Sequence, residues 1–100
     1  MKTGSELIAE ERARQISQEG WTPEHDDKHT HHELIHASSS YLLATAIGIP
    51  GDSPSACFTP PQWPWERAWW KPADPICNLT KAGALIAAEI DRLQRLAVKK

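Results

Sequence analysis

Residues 32–36 read His-Glu-Leu-Ile-His, which is the H-E-x-x-H pattern of zinc-dependent proteases. On a helix this spacing places the imidazoles of His32 and His36 one turn apart, where both can bind one zinc ion. Glu33 could then accept a proton from a zinc-bound water molecule. A small zinc-dependent metalloprotease is therefore one hypothesis for the function.

Two features of the sequence weaken this hypothesis. All five histidines of the chain fall between positions 25 and 36, so a pattern with two histidines arises there by chance more easily. A zinc site also needs a third protein ligand. The acidic residues that the following irregular segment offers for this role are Asp52, Glu66 and Asp74. We therefore predict no cofactor, no metal and no catalytic residue, and keep His32 and His36 as ligands only in the metalloprotease alternative.

The histidine-rich segment allows two further interpretations. Several of the histidines lie three or four residues apart, which is typical of a solvated polar face of a helix. Alternatively, the segment could bind a divalent cation without catalysis. The ligands would then be His25, Asp26, Asp27 and His29.

Four tryptophans lie close together between positions 63 and 70, and Arg67 and Lys71 are interleaved with them. Aromatic side chains next to cations can stack on the bases of single-stranded nucleic acid. A small domain, however, also needs large apolar side chains to cover its core. We favour the second interpretation, which predicts a hydrophobic lid over the helices and no direct contact with nucleic acid.

The net charge of −2 is divided unevenly along the chain. Residues 1–52 hold nine Asp and Glu against four Lys and Arg, a sum of −5, and residues 53–100 hold four against seven, a sum of +3. An acidic region repels phosphates but attracts a basic partner that itself binds nucleic acid. Since no apolar run approaches the roughly 20 residues that cross a bilayer, we expect a cytoplasmic protein with no membrane partner.

The spacing of the apolar residues predicts an all-α fold, a small three-helix domain closed by an ordered loop rich in proline and tryptophan. The helices are predicted at about 4–19, 29–47 and 79–98, with the loop at 48–78 and a single domain over 1–100. Thr3 and Glu6 fit a capping box at the start of the first helix. Gly48 provides a stop for the second helix. The apolar stripe that indicates the third helix contains Leu79, Ala82, Ile86, Ile90, Leu93 and Ala97.

Several runs of the sequence resemble a helical domain that is common in phage and prophage proteins. The runs are ERARQI (11–16), EGWTPEHDDKH (19–29), WPW (63–65), WWKP (69–72) and KAGALIAAEIDRL (81–93). In its compact length the chain is similar to phage-encoded anti-CRISPR proteins directed against type I-F CRISPR-Cas systems. Members of the wider family tend to have glycine where this chain has His32, which indicates that the H-E-x-x-H spelling is incidental.

The resemblance implies a non-enzymatic inhibitor of the crRNA-guided type I-F surveillance complex (Cascade/Csy), acting in the cytoplasm of a host bacterium. Such an inhibitor would bind where the large and backbone subunits meet and block target DNA recognition or duplex opening. Its partners would be the proteins of that complex, whose Lys- and Arg-rich surfaces hold nucleic acid.

The resemblance does not assign the residues of the interface, so we predict them from charge. The predicted partner-binding residues are Glu10, Glu11, Glu24, Asp26, Asp27 and Glu33. If this prediction is right, reversing the charges of Asp26 and Asp27 should weaken partner binding without unfolding the domain.

Overall fold

The computed structural model describes residues 1–47 and 59–99, and its regular structure is entirely helical, which confirms the predicted all-α fold. The elements are α1 Gly4–Glu19, α2 Pro23–Asp26, α3 Glu33–Ala46 and α4 Pro75–Lys99, with a 3-10 turn at Arg67–Trp69. Three of them correspond to the predicted helices, and α2 is an additional single turn. Within the described ranges, every helix is too short or too polar to span a bilayer.

Helix α1 has the bounds that its sequence predicts, because both ends are determined locally. The Thr3 hydroxyl accepts a hydrogen bond from the Glu6 backbone N–H (3.2 Å), and the Glu6 carboxylate accepts one from the Thr3 N–H (2.9 Å). This is the capping box. At the other end Gly20 has φ 74°, a left-handed conformation that glycine adopts without steric strain.

Helix α3 begins at Glu33, four residues later than the predicted start at 29. The reason is the backbone of His32, whose φ of 64° is left-handed and cannot continue a helix. Residues 27–32, which include the predicted start of this helix, contain turns and bends, and the preceding residues 23–26 form α2, which begins at Pro23 and is capped by the Thr22 side chain. The predicted stop at Gly48 lies outside the described residues.

Helix α4 begins at Pro75, four residues before the predicted start at 79, so the predicted loop ends at 74. Proline is well suited to the first turn of a helix because its missing N–H would be unpaired there anyway. Asp74 caps this end, since its carboxylate accepts a hydrogen bond from the Cys77 N–H (2.9 Å). Residues 48–58 of the predicted loop lie outside the described part of the chain.

Helix α4 is the central element, and α1, α2 and α3 all pack against it. The Ser38 hydroxyl of α3 donates a hydrogen bond to the Ala82 carbonyl of α4 (2.9 Å), which sets the register between the two helices. Glu33 lies within electrostatic reach of Arg92, ten residues further along α4, so α3 and α4 run antiparallel. The buried apolar core comprises Leu34, Ala37, Tyr41, Ala44, Trp70, Ala82, Leu85 and Ala88.

The buried face of α4 differs from the stripe that indicated this helix in the sequence. Of that stripe only Ala82 is buried, whereas Leu79, Ile86, Ile90, Leu93 and Ala97 are exposed. At the Ser38 hydrogen bond the small side chain of Ala82 lets the two helices approach closely, and Leu85 fills the core one turn further along α4. Most of the other large aliphatic side chains of α4 lie on an adjoining, exposed face of the helix.

Residues 63–73, which we call the tryptophan segment, cover one side of the helices, in agreement with the predicted hydrophobic lid. Trp70 is part of the core, and Trp63 and Trp65 pack against it. The ring of Tyr41 lies 4.8 Å from that of Trp70 and 5.7 Å from that of Trp63, between ring centroids. The segment is fastened to α4 by Asn78, whose side chain both accepts from the Ala73 N–H (2.7 Å) and donates to the Ala73 carbonyl (3.0 Å).

The close approach of α1 to α4 at Gly83 leads to a testable prediction. A Cβ atom at Gly83 would lie 2.5 Å from Cδ1 and 2.8 Å from Cγ1 of Ile8. Gly83→Ala should therefore lower the free energy of unfolding by about 1 kcal/mol, because overpacking outweighs the helix propensity that alanine adds. Urea unfolding followed by circular dichroism measures this change.

The matched experiment repeats the substitution in an Ile8→Ala background. There the clash is gone, and Gly83→Ala should stabilise the protein by up to about 1 kcal/mol through helix propensity. The same sign in both backgrounds would contradict the role that we assign to the Ile8 contact.

Candidate functional site

The H-E-x-x-H residues do not take up the helical arrangement that zinc binding would require. His32 precedes α3 and has a left-handed backbone, and its ring centroid lies 6.5 Å from that of His36, with both side chains exposed. The Glu33 carboxylate accepts a hydrogen bond from the His31 N–H (2.6 Å) and lies 3.6 Å from Nδ1 of His29. The pattern therefore forms the irregular start of a helix.

The proposed third ligands and the non-catalytic metal site are likewise not assembled. Asp52 lies outside the described residues, Asp74 caps α4, and Glu66 lies on the tryptophan segment. Residues 1–47 and 59–99 contain no group of three or more His, Cys, Asp and Glu side chains arranged to hold a metal ion. The carboxylates of Asp26 and Asp27 are bound to arginines instead, as described next.

Asp26 is a structural residue in this fold. Its side chain is 1% exposed, and its carboxylate accepts a hydrogen bond from Nη2 of Arg12 on α1 (2.5 Å). The same guanidinium donates to the backbone carbonyl of Trp21 (3.2 Å). Arg12 thereby connects α1, the turn that follows it and α2 through one side chain.

Asp27, at the C-terminal end of α2, forms a second and more exposed ion pair. Its carboxylate lies 2.8 Å from Nη2 of Arg95 on α4, and the same nitrogen donates to the Pro23 carbonyl (3.2 Å). The hydrogen bonds and the negative charge of Asp27 raise the pKa of Arg95 above its usual value. The pair joins α2 to α4 across 68 positions of the sequence.

The four glutamates predicted to bind a partner differ in their availability. Glu11 accepts two hydrogen bonds from Arg14 (both 2.8 Å) and one from Gln15 (3.2 Å). Burial alone would raise its pKa, but these hydrogen bonds and the charge of Arg14 outweigh burial and hold the pKa below its usual value. Glu10 is paired with Lys2 at the surface (2.7 Å), and Glu24 is exposed on α2.

The predicted acidic strip is therefore divided between two roles. Asp26 and Asp27 tie α2 to α1 and α4. Glu11 is bound by Arg14 and Gln15 of its own helix, and Glu33 by the backbone N–H of His31. The carboxylates of Glu10 and Glu24 are the more accessible ones. The burial of Asp26 argues against the expectation that its charge can be reversed without unfolding, since a lysine there would face Arg12.

A cleft beside the tryptophan segment is a feature that the sequence analysis did not assign. Its volume is about 510 Å³. It is lined by Glu19, Trp21, His25, His29, Pro64, Trp65, Glu66 and Trp69. The Trp65 ring contacts the rings of Trp21 (5.8 Å between centroids) and His29 (5.2 Å). Trp21, His25 and His29 form one side of the cleft. Their spacing of four residues is the sequence pattern that could have indicated that these side chains lie together.

The cations of the tryptophan segment do not line this cleft, which bears on the nucleic-acid stacking interpretation. Nζ of Lys71 lies 5.7 Å from the centroid of the Trp69 ring and lines a smaller neighbouring cavity. The cleft itself is lined by two carboxylates and contains no Lys or Arg among its lining residues. Phosphate groups would meet negative charge there, so the cleft is poorly suited to a nucleic-acid strand.

A second unassigned feature is an apolar surface shared by α3 and α4, which we call the α3/α4 face. Its side chains are Ile35, Leu42, Leu79, Ile86, Ile90 and Leu93, each between 43% and 51% exposed. The Ser38–Ala82 hydrogen bond sets its geometry, since one turn away on either side the antiparallel register places Ile35 level with Ile86 and Leu42 level with Leu79. Ile90 and Leu93 extend the apolar surface along α4, past the start of α3.

Comparisons of this chain with models of protein families, with curated proteins and with solved structures found no match.

The ion pairs predict a ranking of stability effects among the acidic residues. Asp26→Ala should lower the free energy of unfolding by about 3 kcal/mol, because it leaves Arg12 largely buried without its partner. Asp27→Ala removes a partly exposed pair and should cost less than about 1 kcal/mol. Glu24→Ala should change stability by less than about 0.5 kcal/mol.

Urea unfolding of the three variants and the wild type measures these differences under one set of conditions. Equal losses for Asp26→Ala and Glu24→Ala would contradict the structural role of the buried pair.

Proposed function

We propose that this protein is a phage-encoded, non-enzymatic inhibitor that binds the type I-F CRISPR-Cas surveillance complex. Binding at the junction of the large and backbone subunits blocks target DNA recognition or duplex opening. The inhibitor acts in the cytoplasm of the host and requires no cofactor. The resemblance of the sequence to anti-CRISPR proteins of this type supports the identity of the partner.

The observation that carries the proposal is the exposed α3/α4 face. Its six side chains expose on the order of 500 Å² of aliphatic surface, which is as large as the largest apolar patch on a typical monomer and often marks a binding site. Large aliphatic groups gain nothing from exposure to water. A protein-binding function gives this surface a role that the fold itself does not.

The exposed carboxylates contribute to the rate of association in this proposal. Glu10 and Glu24 are accessible on the acidic half of the chain, and the partner carries Lys- and Arg-lined channels for nucleic acid. Charges at the rim of an interface accelerate encounter more than they strengthen the final complex. The aliphatic face supplies affinity, and the carboxylates supply steering.

The alternative, a metalloprotease using His32, Glu33 and His36, is supported only by the match of these residues to the H-E-x-x-H sequence motif. His32 precedes the helix that should carry both ligands, and Glu33 is bound to its own neighbours. Its test is elemental analysis of the purified protein, in which stoichiometric zinc that is lost in a His32→Ala, His36→Ala variant would favour it.

The proposal predicts that the wild-type protein co-purifies with the type I-F complex and abolishes its binding of target DNA. Replacing Ile86 and Ile90 together by glutamate should weaken binding to the complex at least tenfold, because two carboxylates would have to be desolvated against the partner. Affinity is measured by surface plasmon resonance and DNA binding by gel shift.

The matched control is the double variant Ser17→Glu, Gln18→Glu, which adds the same two negative charges at exposed positions of α1. Circular dichroism and the Tm of each variant verify that the fold is intact. Full inhibition by the Ile86, Ile90 variant would remove the α3/α4 face from the interface, and failure of the wild-type protein to bind the complex would overturn the proposed function.

The steering role of the carboxylates predicts a kinetic effect. Replacing Glu10 and Glu24 by lysine should lower the association rate with the complex severalfold at low salt and leave the dissociation rate nearly unchanged. Raising the ionic strength should reduce the difference from the wild-type rate. An effect confined to the dissociation rate would indicate that these carboxylates form direct buried contacts instead.

A further inference from the structure

The cleft beside the tryptophan segment has the composition of a binding site for a positively charged group. Three indole rings line it, those of Trp21, Trp65 and Trp69, together with the carboxylates of Glu19 and Glu66. Indole is the aromatic ring that attracts cations most strongly, through the negative potential of its face. A volume of about 510 Å³ is within the range of small-molecule sites in proteins.

The walls of the cleft are held in place by contacts that do not depend on a ligand. The Trp21 carbonyl accepts from Arg12 (3.2 Å), which fixes one wall to α1. On the other wall, the Glu66 carbonyl accepts hydrogen bonds from the Trp63 indole (3.1 Å) and from the Trp69 backbone N–H (3.0 Å). A site built on such contacts loses little conformational entropy when it binds a ligand.

The packing of the fold does not explain why two side chains in the cleft, those of Trp69 and Glu66, are exposed. Trp69 is 48% exposed, whereas Trp70 beside it is buried in the core. The hydrogen bonds that hold Glu66 involve its backbone carbonyl, and its side chain is exposed at the cleft. An exposed indole next to an exposed carboxylate is the combination that receives an organic cation.

The charge balance of the lining selects the class of ligand. Glu19 shares its charge with Arg14 (3.0 Å), so Glu66 is the main source of negative charge at the cleft. Lys71, the cation that already lies over Trp69, lines the neighbouring cavity and not this one. A small inorganic cation would gain little from the indole faces, while an alkylated or planar cation can contact them over a large area.

We infer that this cleft binds an organic cation, an alkylammonium or guanidinium group, between its indole faces and the Glu66 carboxylate. The inference does not depend on the proposed inhibitor function, because it concerns a different surface from the α3/α4 face. The same chemistry can come from a free small molecule or from an arginine or methylated lysine side chain of another protein, and the experiment distinguishes these sources.

The test compares choline with its uncharged isostere, in which a tert-butyl group replaces the trimethylammonium group. Both are titrated into the protein while NMR spectra record the five indole N–H signals. Choline should produce saturable shifts at Trp21, Trp65 and Trp69 and smaller ones at Trp63 and Trp70. Equal responses to the two compounds, or no saturable response to choline and to an arginine amide, would overturn the inference.

Two variants and one control locate the site. Trp69→Leu should weaken choline binding at least fivefold, and Glu66→Gln should weaken it about threefold, in line with the cation–π and exposed ion-pair contributions. Glu24→Gln removes an exposed carboxylate that does not line the cleft and should have no effect. Unchanged affinity in both Trp69→Leu and Glu66→Gln would place any binding elsewhere and reject the cleft.

A comparison of ligands then identifies the source of the cation. The ligands compared are choline and the blocked amides of arginine and of trimethyllysine. Tighter binding of choline than of either amide supports a free alkylammonium ligand. Tighter binding of one of the amides supports a side chain of a partner protein, and the Trp69→Leu variant should then bind a peptide containing that residue at least fivefold more weakly than the wild-type protein does.

Discussion

Arg12 reaches from α1 across the turn at Gly20 to the buried carboxylate of Asp26, and the placement of this turn and of α2 against α1 depends on this contact. A charge in an apolar environment must be paired, because its desolvation otherwise costs several kcal/mol. With Asp26 held, the adjacent Asp27 is directed to Arg95 on α4, so two neighbouring carboxylates tie α1, α2 and α4 together. A residue that holds the fold in this way has little freedom to bind another protein.

The way in which α4 packs explains why so much aliphatic surface remains outside. Ala82 and Ala88 contact the other helices closely but bury little apolar area each. The larger core side chains are those of Leu34, Leu85, Tyr41 and Trp70, and each of them buries more apolar area than an alanine. Among the described residues the core therefore does not include Ile86 and its neighbours on the α3/α4 face, which remain exposed.

The parts of the fold that the sequence predicts are those with local causes. The capping box at Thr3 and the left-handed Gly20 determine α1 within a few residues, so both ends were predicted. The start of α3 was not predicted, because a left-handed backbone is uncommon in any residue other than glycine. Histidine adopts it more often than most residues, but with five histidines between positions 25 and 36 the sequence does not indicate that His32 is the one that does. Periodicity predicted α4 but not its buried face, since two adjoining faces of the helix carry the same spacing and only packing decides between them.

The candidate site shows that the sequence also cannot predict which charged residues are paired in the fold. Counting carboxylates identified an acidic region, but it could not show that Asp27 is neutralised by Arg95 from the far end of the chain. Such long-range pairs are invisible in the spacing of residues. What folding leaves unexplained is more informative: an indole at Trp69 and the aliphatic α3/α4 face are exposed although water disfavours both. Function is better sought on these surfaces than in the pattern at His32, because the contacts of that pattern are accounted for by the start of a helix.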